Sequence, residues 1–171
     1  MTAASGPFPV PLVPVPVEPY PEPLSIEHDH PSLSVDADTV EALIRHVLEA
    51  EGARPVHVSV VLSDHDTVRR LNAAYLDHDY NTDVLSFSLR DEDEADAPAP
   101  TAEGEVYVDL DTAEERHEEF ETTFEREAYR YVVHGVLHLL GYDDGTEDGQ
   151  ETMRALEDQY LEAVLSEGPA G

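Results

Sequence analysis

The run Val56, Val58, Val60, Val61 and Leu62 restricts the fold more than any other part of this chain. It alternates at first and then becomes continuously apolar. β-branched residues dominate it, and it is short, so it reads as a strand. A strand that is apolar on both sides needs cover on both faces of its sheet, as in α/β domains.

The flanking periodicities supply that cover. A first strand is expected from Leu24 to about Glu27. Val40, Leu43, Ile44, Val47 and Leu48 repeat at helical spacing. Asp38 and Glu41 read as the capping box of that helix, and Gly52 as its stop. After the Val56–Leu62 strand, Ser63 or Asp64 caps a helix with the stripe Val68, Leu71, Asn72 and Tyr75. Asn72 is a polar amide on an apolar face, so it needs partners. Asp77 to Thr82 is turn-like, and Asp83 to Leu89 is a strand. Residues 91–103 form an acidic insertion loop, and Glu105 to Leu110 is the last strand. Asp111 to Glu119 is a short charged helix. Thr122 and Glu125 cap the next helix, which carries Phe124, Ala128 and Tyr131 inward and ends at Gly141. A final helix runs from Thr146 to Leu165. The expected fold is a single α/β (α+β) domain over residues 24–171, with a small, mostly parallel four-stranded mixed sheet packed by about five helices. Residues 1–23 hold eight of the thirteen prolines and read as a disordered tail.

Composition narrows the chemistry. The chain has no cysteine, so metal sites must use histidine and carboxylate. No secretory signal and no bilayer-length apolar stretch is present, which makes a cytoplasmic protein the default expectation. Thirty-nine acidic residues face nine arginines and no lysine, for a net charge of −30. Such charge opposes the compact state at low salt and opposes binding of DNA or RNA through a broad basic surface. It suits concentrated salt, where screening shortens to about 3 Å at 1 M.

The chemistry converges on residues 134–144. His134 and His138 are four apart, which stacks both imidazoles on one helix face. Gly141 ends the helix and lets the chain return, bringing Asp144 within reach. Two histidines and one carboxylate make a zinc site with a position left for water, the arrangement of catalytic zinc. The metalloprotease pattern needs glutamate after the first histidine. Gly135 stands there, which disfavours a zinc protease. His28 and His30 read as residues of a solvated loop and His46 as a solvated helix residue.

The string from His134 to Asp143 resembles the signature of the YbeY-type endoribonucleases, a family of bacterial rRNA maturation factors. Leu71, Asn72 and Tyr75, followed by Thr82 through Phe87, resemble a second family block, and Gly104-Glu105-Val106 the start of its last strand. The resemblance implies one Zn²⁺ per chain on His134, His138 and Asp144, which would also be the catalytic residues. It implies single-strand-specific RNA cleavage in 16S rRNA 3′-end maturation and ribosome quality control, with rRNA and the small ribosomal subunit as partners. Two positions depart from the family. Asp144 stands where most members have histidine, and the added negative charge weakens the metal as a Lewis acid. Leu76 stands where many members have an arginine suited to phosphate, with His78 nearby as a weaker substitute. Asp143 or Glu105 would orient water, and Asp143 also reads as a turn former. Tyr142 reads as packing, and Asn72 as a brace beside the metal helix. Arg69, Arg70 and Arg90 are candidate RNA contacts. The competing readings are a ribosome-assembly factor with structural zinc and a metal-dependent hydrolase of small esters.

Overall fold

The structure, a computed structural model, describes residues 23–76, 83–88 and 101–165. The elements run β1 (Leu24–Asp29), α1 (Ala37–Ala50), β2 (Arg54–Ser63), α2 (His65–Leu76), β3 (Val84–Ser88), β4 (Thr101–Asp109), α3 (Leu110–Arg116), α4 (Phe124–Leu139) and α5 (Glu147–Leu165). The four strands form one mixed sheet in the order β1-β2-β4-β3. β1, β2 and β4 are parallel, and β3 is antiparallel to β4. This is the expected small α/β domain with five helices.

Val58, Val60 and Leu62 of β2 and Val106 and Val108 of β4 are fully buried. They meet α1 and α4, which also pack against each other and against α5. α1 contributes Val40, Leu43, Ile44 and Val47, none of them exposed. The expectation that both faces are covered holds only for the second half of β2. There Val61 and Ser63 are buried too, whereas His57 and Ser59, earlier on the same face, are only half-buried. Val56, at the register shift between Pro55 and His57, is 47% exposed.

Several local expectations shift. Asp36, not Asp38, caps α1, its carboxylate accepting from the Thr39 amide at 3.1 Å. Thr123, not Thr122, caps α4 by accepting from the Arg126 amide at 3.0 Å. Both are one-to-two-residue slips between adjacent residues able to cap. Asp64 caps α2 as expected, through the Thr67 amide at 2.8 Å. β4 begins at Thr101, so residues 101–103 of the expected acidic insertion are strand, paired with Arg54, Pro55 and His57. Leu110 is buried as expected but opens α3 rather than closing the strand. Tyr75 is 70% exposed and not part of a buried stripe; its ring meets Phe87 edge-on at 6.0 Å. His28 and His30 do not sit in a solvated loop. His28, exposed, lies within β1 and donates to the Val35 carbonyl at 3.0 Å. His30, 5% exposed, donates to Asp111 at 2.9 Å and accepts from the Leu33 amide. His46 lies half-buried, edge-on to Tyr160. The Pro-rich tail, the turn before Asp83, Leu89 and the rest of the acidic insertion lie outside the described residues.

Candidate metal centre

α4 carries the two histidines, and one glycine sets how closely it rests on the sheet. A methyl group on Gly135 would collide with Val106 of β4 and stand 3.1 Å from Val84 of β3. The Gly135 carbonyl also accepts from the Ser86 hydroxyl at 2.9 Å. The helix therefore presses its backbone onto β3 and β4, leaving no room for the glutamate of a metalloprotease motif at this position. On the flank of the helix next to Gly135, His134 and His138 stand one turn apart. At Gly141 the backbone takes φ 104°, a left-handed conformation that glycine adopts without strain. The chain folds back there and delivers Asp144 to the two rings.

Three donor atoms converge. His134 Nε2 and His138 Nε2 are 3.0 Å apart. Asp144 Oδ2 lies 3.3 Å from the first and 3.7 Å from the second. Among the described residues this is the one group of histidine and carboxylate donors close enough to share an ion. The two imidazole rings stand nearly perpendicular, at 79°.

The far side of each ring is fixed by a hydrogen bond. His134 Nδ1 donates to the Glu157 carboxylate at 2.6 Å. His138 Nδ1 donates to the Tyr142 carbonyl at 3.0 Å. Protons held on both Nδ1 atoms leave the Nε2 lone pairs to face each other and Asp144. Converging acceptors repel unless a cation lies between them. Tetrahedral ligands bonded at roughly 2.0–2.2 Å stand about 3.3–3.6 Å apart, close to the separations observed. The donor set and spacing thus fit one divalent ion such as zinc.

Supports extend further out. Glu157 is buried and salt-bridged to Arg130 at 3.0 Å, and Arg130 also reaches Asp158 at 2.6 Å. Burial disfavours the charged His134 ring, but Glu157 outweighs it, with Asp83 and Asp144 adding, and the pKa is raised above the imidazole norm. Metal binding must displace that extra proton, which makes affinity pH-dependent. Tyr142 is anchored through its hydroxyl, which donates to Glu51 at 2.8 Å, and Tyr160 donates to the same carboxylate. Gln150 Nε2 holds the Asp144 carbonyl at 3.1 Å.

His134 and Asp144 line a cleft of about 620 Å³, and the rings of His134 and His138 are 21% and 28% exposed. Arg116, Arg126, Arg130 and Arg154 line the cleft, and so do the carboxylates of Asp83, Glu121, Glu127, Asp144 and Glu157. Its charge is therefore mixed, although four of the nine arginines are gathered there. Burial pushes the Asp83 carboxyl up, so it repels an entering anion less than a free aspartate would.

Other expected site residues fall elsewhere. Asp143 accepts from the Gly145 amide at 3.1 Å and serves the turn. Glu105 accepts from the Tyr107 hydroxyl on the sheet face away from Val106 and is not part of the cleft. Arg70 pairs with Asp66 on exposed α2, and neither it nor Arg69 lines the cleft. Asn72 is buried on α2. Leu76 ends that helix, and His78 and Arg90 lie outside the described residues. Glu157 and the four cleft arginines were missed from the sequence. A charge on the buried stripe of Met153, Tyr160 and Leu161 was the available signal for Glu157.

Known proteins resemble this chain over most of its length. The family model described as Endoribonuclease YbeY matches residues 25–165. A Salinibacter ruber protein named Endoribonuclease YbeY is 66% identical over 142 residues, covering 79% of this chain and 87% of its own length. A Chlorobium phaeobacteroides protein of the same name is 37% identical, covering 77% and 91%. The solution structure of a Thermotoga maritima protein superposes with a TM-score of 0.58 at 31% identity, covering 86% of this chain and 92% of that one.

Proposed function

Because the chain belongs to the YbeY endoribonuclease family, we propose that it is a zinc-dependent endoribonuclease that cuts single-stranded RNA. Its work would be 16S rRNA 3′-end maturation and ribosome quality control at the small subunit, in the cytoplasm. The observation that carries the reading is the convergence of His134 Nε2, His138 Nε2 and Asp144 Oδ2 beside a cleft lined by both arginines and carboxylates. A closed structural zinc site would use four protein ligands. Here the three donors remain partly exposed beside space for a substrate, which favours catalysis over a purely structural role.

His134, His138 and Asp144 would hold the zinc, which would supply Lewis-acid polarisation of a phosphate oxygen and of water. The chain supplies the rest. Glu157 and the Tyr142 carbonyl keep the imidazole protons on Nδ1, so both Nε2 atoms stay available as donors. Arg130 holds the Glu157 carboxylate in place. The remaining cleft arginines offset phosphate charge in a chain that otherwise repels RNA. Asp144 lowers the net positive charge at the centre compared with a third histidine.

The test is incubation of the purified protein, in concentrated KCl with zinc, with a 3′-extended small-subunit rRNA fragment and with an unrelated single strand. The reading predicts a discrete new 3′ end on the rRNA fragment, lost with His138→Ala. No cleavage of either RNA would favour the assembly-factor reading. Equal cutting of both would remove the rRNA assignment.

A further inference from the structure

We propose that Arg154 binds a phosphate of the RNA substrate, as the cleft cation left uncommitted by the fold; this rests on the endoribonuclease reading above. Gln150, Arg154 and Glu157 are spaced four and three residues apart, so they share one face of α5. Both neighbours are tied to the metal triad. Gln150 holds the Asp144 carbonyl, and Glu157 holds the His134 ring. Arg154 stands on the turn between these two tethers and lines the same cleft.

The other cleft arginines have partners. Arg130 is committed to Glu157 and Asp158. Arg126 faces Glu162 at 3.6 Å. Arg116 lies over the Phe120 ring at 4.9 Å and reaches Glu119 at 3.4 Å. Arg154 is exposed and makes no ion pair or hydrogen bond among the described residues. In a chain of 39 acidic residues, a guanidinium left without an anion beside a metal centre is notable. Its planar fork suits a phosphate, which it can hold through two parallel hydrogen bonds. The proposal therefore assigns it to positioning substrate, with no part in holding the metal.

The experiment compares zinc-loaded wild type, Arg154→Gln, Arg154→Lys and Arg45→Gln. Arg45 is an exposed α1 residue paired with Glu41 and does not line the cleft, so it controls for charge alone. Binding of a short single-stranded RNA is followed across a KCl series, and cleavage is followed in parallel. Arg154→Gln is expected to weaken binding roughly tenfold, as loss of one charge-assisted hydrogen bond does. It should reduce the slope of log K against log salt by about 0.7. KM should rise more than kcat falls, since the contact is present before and during reaction. Arg154→Lys should recover part of the loss, and zinc content should not change. Unchanged affinity and slope in Arg154→Gln, or an equal loss in Arg45→Gln, would overturn the assignment. If wild type binds RNA but does not cut it, the endoribonuclease reading fails and the slopes still decide the role of Arg154. If wild type does not bind RNA at any salt, both fall.

Discussion

Glu157 accepts the Nδ1 proton of His134 at 2.6 Å, across the interface between α5 and α4. This bond joins α5 to one of the three converging donors, His134. Losing such an outer partner typically costs 10–100-fold in metal affinity. Glu157→Ala is expected to fall in that range in a competition titration against a chromophoric chelator. Glu157→Gln keeps an acceptor oxygen and should lose less. Glu157→Ala also strips the 18%-exposed Arg130 of its buried partner. Chemical denaturation should report a loss of roughly 3 kcal/mol, the low end for breaking a buried pair, since Asp158 still faces the guanidinium. Equal zinc affinity in wild type and Glu157→Ala would show that the bond does not support the site.

Gly135 sets the depth at which α4 lies on the sheet. Gly135→Ala places a methyl group against Val106 and Val84. Helix propensity favours alanine by about 1 kcal/mol, whereas overpacking a rigid interface costs about 1–3 kcal/mol. The sheet side of this contact is β-branched and fully packed, so crowding should win. Denaturant titration is expected to show a net loss of about 1–2 kcal/mol. A gain in stability would mean that the helix can lift off the sheet freely.

His65 gives a pH dependence whose sign follows from its partner. Its Nδ1 donates to the buried Asp109 carboxylate at 2.7 Å, which raises its pKa, against burial, with the charges of Asp109, Glu115 and Asp111 adding. A histidine whose folded pKa lies above its unfolded value stabilises the fold below the unfolded value, about 6.5. That contribution is lost as pH rises through the raised folded pKa. The ring is 38% exposed, so screening by solvent keeps the effect small. His65→Gln should flatten the decline in unfolding free energy as pH rises above about 6.5, measured with zinc present. A decline of the same steepness in the variant would place its cause elsewhere.

Much of this architecture was legible because it rests on local periodicity. The helical stripe of Val40 to Leu48 and the apolar run of β2 each announce one element, and their order leads to the sheet. The convergence of His134, His138 and Asp144 was legible because the three lie within eleven residues and one glycine stop. What escaped depends on distant parts of the chain meeting. Glu157 is 23 residues beyond His134 and resembles any acidic helix residue until α5 is packed. The cleft arginines come from three helices, so nothing in their spacing links them. His30 looked solvated because Asp111, which buries it, is 81 residues away. Helix starts slipped for a different reason: Asp36 and Asp38, or Thr122 and Thr123, offer nearly equivalent caps, and tertiary packing chooses between them.

The central claim is that His134, His138 and Asp144 hold a metal on which RNA cleavage depends. The most direct measurement is the cleavage rate of a single-stranded RNA by chelator-treated protein as zinc is added back. The account predicts negligible cleavage without metal, a rise that saturates at one zinc per chain, and no recovery in His138→Ala at any zinc concentration. Full cleavage by the metal-free protein, or cleavage undiminished in His138→Ala, would contradict it.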